Sequence, residues 1–492
     1  VLLSAAWTQA DPSTAIGETP DKEHGSTWSS VPDDFVSDAP LSPRYALERI
    51  EIQGNSKMLD QTVRRYIDLE LGEVFGADDT RLEAARYRLL ATGFFHEVQL
   101  SLARGSRHGW VVLVVKVKER NTLVIQDVAF GLSEITPYGF LDLGERSFIG
   151  SAMQVHAAAI AAKDQYGYRL GFSDEHFLGS ELGLHVQGLF THARDYFGNK
   201  DICVDSCIGR YGQPKYSDFA QMSYDRAGLR LGTGYVYRGR FYTTLDYRIE
   251  QYQASFPAAA SHVTFGERNP VVFGHMLPGT SFLSGIAFQV VRDTRDSPWL
   301  PGSGRKTALD VLLATRIIGS DYEYAKFTLV HDEYFSLPRM QSLRLGLFGG
   351  LILGTAPFID QFFAGDFSAF VPSRILQMNF THLRPNVLET AIQEMRYEDI
   401  AAAVNLEYSI PLYRGGGPIY GVDAFLGAGL FLIASGNHLR VESQEYKGIR
   451  AVPMDFTADL GLRIDTGVGL FVVSLANLFR FLPLVGDKAA EK

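Results

Sequence analysis

Between Ser281 and Leu412 apolar and polar residues alternate with the two-residue period of β-strands. Ser281–Arg292 reads as a strand, residues 293–302 as a turn and Arg305–Ile318 as a second strand. In the second, Leu309, Val311, Leu313 and Ile317 share one face, and Ala308, Asp310, Ala314 and Arg316 the other. Further long strands are predicted at Tyr322–Ser336, Gln341–Leu353 and Asp399–Pro411, where Ala402, Val404, Leu406, Tyr408 and Ile410 oppose Asn405, Glu407 and Ser409. Phe241–Gln251 gives the sharpest contrast, with Phe241, Leu245, Tyr247 and Ile249 set against Thr244, Asp246, Arg248 and Glu250. An Arg or Lys facing lipid near the bilayer midplane costs about 2–4 kcal/mol, so the charged face belongs to water and the apolar face to lipid.

The same period extends upstream through Ile125–Leu132, Gly139–Ser147, Ala152–Ala162 and Gln165–Asp174. In the last of these Tyr166, Tyr168, Leu170 and Phe172 alternate with Gly167, Arg169 and Gly171. Short turns join some strands, whereas Thr191–Tyr216 and Tyr252–Pro278 read as long connections, a contrast typical of outer-membrane barrels. Residues 123–484 are therefore expected to form one all-β transmembrane barrel, with a polar tail at 485–492.

Ahead of the barrel the pattern changes. Residues 1–10 open with an apolar run, Val1–Trp7, that reads either as the end of a secretory signal or as a frayed chain end. Residues 11–44 are rich in Pro, Ser, Asp and Gly and too poor in large apolar side chains to offset the entropy of ordering, so they read as a disordered linker. Residues 45–120 predict a compact α+β unit in the order β-α-α-β-β. Leu47, Ile50 and Ile52 mark a strand, and Leu59, Val63, Tyr66 and Ile67 a helix over Leu59–Leu69. A second helix covers Thr80–Thr92, started by a Thr80/Glu83 capping box and ended by Gly93. Two strands follow, one carrying Val98, Leu100 and Leu102, the other Trp110–Val117.

Composition narrows the function classes. The chain has 492 residues, enough for several domains or one large barrel, and no run approaches the roughly 20 apolar residues of a membrane helix. If it spans a bilayer it must do so as a closed barrel, because an open sheet cannot satisfy its edge groups in lipid. A net charge of −10 disfavours nucleic acid as a partner. Cys203 and Cys207 are too close and too few for a zinc site; they read as a small loop disulfide or as two thiols. No nucleophile elbow, zinc-protease motif or phosphate loop occurs, the 12 histidines are scattered, and Arg414–Pro418 with its three glycines is a turn between strands. No catalytic residue, metal or cofactor is assigned, and no enzymatic activity is expected.

Two sets of residues carry a family resemblance. The order of elements over 45–120, with Gly54-Asn55 after the first strand and Gly93–Val98 (GFFHEV) after the second helix, resembles a polypeptide-transport-associated (POTRA) domain. The barrel carries Glu145–Gly150 (ERSFIG), Phe172–Gly179 (FSDEHFLG), Asp293, Arg295 and Asp296 with Pro301 and Gly302, and Gly461 and Arg463 ahead of Gly467. In this order they resemble the BamA/TamA-type superfamily of outer-membrane assembly factors and secretion transporters. The resemblance implies a 16-stranded antiparallel barrel with the POTRA domain in the periplasm. It also implies a long loop folded into the lumen, here residues 354–396, whose tip arginine is held by a wall aspartate. Both partners are altered: no Arg-Gly-aromatic follows Gly365-Asp366, and Phe425–Gly429 (FLGAG) has glycine where the aspartate would stand. Arg374 either takes over as anchor, with Glu407 as its partner, or is a solvated loop arginine.

The implied partners are the outer-membrane bilayer, unfolded outer-membrane or secreted polypeptides, and periplasmic chaperones or accessory proteins. Two functions follow. An insertase would template client strands at the seam between the first and last barrel strands, with Val98, Leu100 and Leu102 marking a POTRA edge strand for clients. A conduit would pass polypeptides or solutes through a lumen plugged by residues 354–396.

Overall fold

The structure is a computed structural model that describes residues 3–4, 44–132, 137–197, 203–204, 220–237, 241–256, 260–264, 267–270, 273–297, 299–367, 374–380, 388, 390, 392, 397–415, 417–435 and 452–476. The N-terminal unit contains β1 (Arg44–Gln53), α1 (Asp60–Arg64), β2 (Val74–Gly76), α2 (Thr80–Ala91), β3 (Phe95–Arg104) and β4 (Trp110–Glu119). Its sheet runs β2-β1-β4-β3, with β1 and β4 parallel. Leu47, Val63, Leu89, Val98 and Leu113 fill the core between sheet and helices.

Three details differ from the sequence reading. A short edge strand, β2, lies between the helices. Helix α1 stops at Arg64 rather than Leu69. Helix α2 is capped by Asp79, whose carboxylate accepts from the Arg81 N–H, so Thr80 is already helical and no capping box with Glu83 is needed. Gly93 ends this helix with φ +69°, as expected.

The barrel consists of fifteen long antiparallel strands among the described residues. They are β5 (Leu123–Leu132), β6 (Pro137–Phe148), β7 (Met153–Ala162), β8 (Tyr166–Asp174), β9 (Leu182–Phe197), β10 (Ala220–Tyr237), β11 (Phe241–Ser255), β12 (Gly279–Asp293), β13 (Gly304–Ala314), β14 (Glu323–Leu337), β15 (Gln341–Thr355), β16 (Ile400–Arg414), β17 (Ile419–Ala434), β18 (Met454–Thr466) and β19 (Gly469–Ala476). The resemblance implies 16 strands; residues 477–484 lie outside the described residues. Strands β9 and β11 reach further than the long connections at 191 and 252 implied, to Phe197 and Ser255. Strand β13 ends at Ala314, because Thr315 caps a 3-10 turn that closes on Gly319.

The facing assigned by alternation holds on β11. Leu245 is 51% exposed towards the lipid side, whereas Glu250 and Arg248 inside are 5% and 4% exposed. Leu309 and Leu313 likewise face out while Ala308 and Ala314 are buried. Among the described residues no helix is long and apolar enough to cross a membrane. The strands are instead joined by antiparallel ladders around the barrel, except along the seam described next.

Candidate functional site: seam, lumen loop and POTRA joint

Fifteen strands that alternate in direction leave the first and last running the same way, so β5 and β19 cannot pair as an antiparallel ladder. No ladder joins them directly. Residues Leu3–Ser4 lie between them, antiparallel to both: Ser4 is opposite Ala129 on one side and Val472 on the other, and Leu3 is opposite Val473. At the short-turn end the Ile125 N–H donates to the Val468 carbonyl at 2.8 Å. The seam is thus pinned at one end and otherwise unsealed, with a gap one strand wide.

Arg120, the residue leading into β5, reinforces the pinned end. Its Nη2 donates to both carboxylate oxygens of Asp465 on β18 at 2.8 and 3.0 Å, with both side chains about nine-tenths buried. The guanidinium lies 4.3 Å from the Tyr420 ring centroid and 5.4 Å from that of Trp299, while Arg146 lies 4.3 Å from the Trp299 ring. His96 of β3 stacks on Tyr420 at 5.4 Å. A Cβ on Gly93 would stand 3.2 Å from Trp299, so the helix end must be glycine for this turn to approach. The POTRA unit therefore meets the short-turn rim through Trp299 and Tyr420. Thr62 adds a hydrogen bond from its Oγ1 to the Gly150 carbonyl at 3.0 Å.

The sequence-predicted rim motif supports this joint. The Arg295 guanidinium is held by Asp293 at 2.6–3.1 Å, and the Gly302 N–H donates to Asp296 at 2.9 Å. These bonds and Pro301 fix the β12–β13 turn whose tip carries Trp299. Arg463 pairs with Glu407, its Nη2 donating at 2.6 Å, and lies 4.3 Å from the Phe425 ring. Gly461 leaves room for that ring, since a Cβ there would stand 2.7 Å from it. The expected Arg374–Glu407 anchor is not formed. Arg374 pairs instead with Asp366, beside the Phe363 ring at 5.1 Å, and Gly365 is buried in the adjoining turn. The partner changed because the loop folds back on itself: Arg374–Ile375 pairs with Met378–Asn379, while Phe362–Phe363 pairs with Tyr397–Glu398.

The loop's real attachment was not anticipated. Arg248 Nη1 donates to both oxygens of Asp360 at 2.9 and 3.0 Å. Glu250 accepts from Arg248 at 2.7 and 2.8 Å and from Arg226 at 2.7 and 2.8 Å. Arg226 in turn donates to Gln377, and the Tyr324 hydroxyl donates to Asp360. Lys326 Nζ reaches the Asp360 carbonyl at 2.7 Å. Around these contacts Phe358, Phe362, Phe363 and Phe380 are buried in the lumen core. A cavity of about 730 Å³ remains between loop, wall and POTRA end, lined in part by Gly93, Asp142, Arg169, Lys326 and Gln377. The alternation on β11 had exposed Arg248 and Glu250 as lumen charges; nothing local linked them to Asp360, 112 residues away.

Val98, Leu100 and Leu102 lie on β3, at the sheet edge. Val98 is buried and the other two pack against the POTRA core, so what this strand leaves open is backbone, not these side chains. Cys207 lies outside the described residues, and with it the expected Cys203–Cys207 pairing. Among those residues no group of three His, Cys, Asp or Glu is placed to hold a metal.

Residues 147–374 match the Omp85 superfamily domain, and residues 45–120 match the POTRA family described as surface antigen variable number repeat. The chain carries an Omp85 superfamily domain behind a POTRA domain. It is an outer-membrane β-barrel protein with a periplasmic POTRA domain. Over 372 residues this chain is 24% identical to the outer membrane protein assembly factor BamA of Nitratidesulfovibrio vulgaris, covering 74% of the chain and 41% of that protein. A Treponema pallidum relative is 25% identical over 154 residues, 30% of the chain and 18% of that protein. The chain thus spans less than half the length of these curated relatives. Its fold is similar to that of CdiB from Escherichia coli, with a TM-score of 0.50, 10% identity, and coverage of 95% of this chain and 90% of that one.

Proposed function

We propose that this protein inserts outer-membrane β-strands by templating them at its own seam. The observation that carries the reading is the one-strand gap between β5 and β19, occupied over two residues by Leu3–Ser4 in antiparallel register with both edges. An incoming strand of the same direction gains ladder bonds on two sides, each worth about 1 kcal/mol net, and alternates lipid-facing and lumen-facing side chains as its neighbours do. Opening needs no nucleotide, because few bonds hold the seam. Clients would first meet the free edge of β3, where proline at Gln99 or Ser101 removes a backbone donor and weakens capture if that donor points outward.

The test is a reversible bridge across the gap. Ala129 and Val472 both face inward and are separated by two strand spacings, about 10 Å, beyond the reach of a disulfide. Cysteines at these positions, joined by a thiol-cleavable linker of that length, should abolish barrel insertion into liposomes until reductant is added. Equal activity before and after cleavage would exclude entry through the seam. The lumen cavity and its loop favour a second reading, a conduit for extended polypeptide, which predicts that such a bridge leaves transport intact.

A further inference from the structure

The lumen loop is attached at two points to one ladder of charges on the barrel wall, and the polarity of that attachment is the reverse of the one the resemblance implied. The wall supplies the arginines, Arg248 and Arg226, and the loop supplies the acceptors, Asp360 and Gln377. We propose that Asp360 and Arg248 form the latch of the plug's leading segment, and that parting them loosens residues 358–363 and widens the lumen.

Three features make this pair a latch rather than a permanent tie. Arg248 keeps two hydrogen bonds to Glu250 when Asp360 departs, so its guanidinium stays partly satisfied, while one carboxylate serving two arginines draws Asp360 back. Glu250 is shared with Arg226, which keeps the wall ladder intact in either state. The second ion pair of the loop, Arg374 with Asp366, lies wholly within the loop and does not tie it to the wall. The loop's other wall contacts, Asn379 and Tyr397 to Asp195, Thr390 to the Met454 carbonyl and Gln377 to Arg226, are made by neutral loop groups, whereas Asp360 brings a charge, and Lys326 holds its main-chain carbonyl. Asp360 and Arg248 are positioning residues: they set where the loop sits. The inference holds whether clients take the seam or the lumen.

The test uses the full chain in planar bilayers and in hydrogen exchange, with folded protein selected by heat-modifiable migration. Asp360→Asn keeps the shape of the side chain and removes its charge. It should raise mean conductance and speed exchange of the amides of residues 358–363 by about tenfold, whereas Asp360→Glu should stay near wild type in both. Conductance and exchange unchanged in Asp360→Asn would overturn the proposal, as would equal leakage from the Asn and Glu variants. If Asp360→Asn does not fold, Tyr324→Phe removes one donor to the same carboxylate and leaves every charge in place. A smaller rise in both readouts then supports the latch, and no rise overturns it.

Discussion

Replacing Arg120 by alanine should undock the POTRA unit from the barrel rim without unfolding either part. The side chain makes two hydrogen bonds to Asp465 and covers the Tyr420 ring at 4.3 Å. Breaking a buried ion pair by removing one partner costs about 3–5 kcal/mol, mostly from the charge left behind. With roughly a tenth of each side chain still exposed, the lower end applies, about 3 kcal/mol. Loss of the cation–π contact adds about 1 kcal/mol. At about 1.4 kcal/mol per decade, the docked-to-undocked ratio should fall by two to three orders of magnitude. Spin labels at Ser101 on β3 and at Ser180 on a short turn would read this as a broad, longer distance distribution in Arg120→Ala. Arg120→Met combined with Asp465→Leu leaves no orphaned charge and should recover part of the docked population. Superimposable distributions for wild type and Arg120→Ala would refute the reasoning.

Gly350→Ala should loosen the lumen loop, because a Cβ there would stand 2.3 Å from the Phe362 ring; overpacking of this kind costs about 1–3 kcal/mol and is read by faster exchange near Phe362. Leu245→Arg puts a charge on the lipid face and should cost about 2–4 kcal/mol in unfolding from liposomes if the site lies near the midplane, whereas Gln289→Arg, on the lumen face, should be close to neutral. In the POTRA unit, partial burial pushes the Glu119 carboxyl up, but hydrogen bonds from Ser56 and from the N–H groups of Met58 and Lys57 outweigh it and hold the carboxyl below its ordinary value. A carboxylate depressed in the folded state stabilises above its unfolded pKa, and that contribution is lost as pH falls through the folded value. Glu119→Gln should therefore lower POTRA stability at neutral pH by about 1–2 kcal/mol and flatten its loss under acid, measured by exchange of α1 and β4 amides.

The barrel was legible in sequence because lipid and water impose opposite demands on successive residues, and Phe241–Gln251 records that contrast at nearly every position. Helix ends were legible only where one residue type is required, as at Gly93; Asp79 and Thr80 both suit a cap, and the chain's exit from β2 decides between them. The strand end at Ala314 was missed because Arg316 and Ile317 prolong the alternation into a 3-10 turn. The loop anchor was misplaced for a different reason. Arg374 was read either as paired with the distant Glu407 or as solvated, whereas Asp366, eight residues away in the same loop, holds it. The contacts that do cross the lumen, Arg248 with Asp360 and Arg226 with Gln377, join residues more than 100 positions apart and leave no local trace. The Arg120–Asp465 pair is hidden in the same way, since only barrel closure brings its two strands together.

The central claim is that client strands enter at the gap between β5 and β19. The most direct measurement is site-specific crosslinking of an insertion-arrested client strand bearing single cysteines. Cysteine at Ala129 and cysteine at Val472 should each capture the client through the same client residue, because both stand opposite Ser4. Capture only by lumen positions such as Asp246 or Arg230, with neither seam position labelled, would contradict the account and assign the client to the interior of the barrel.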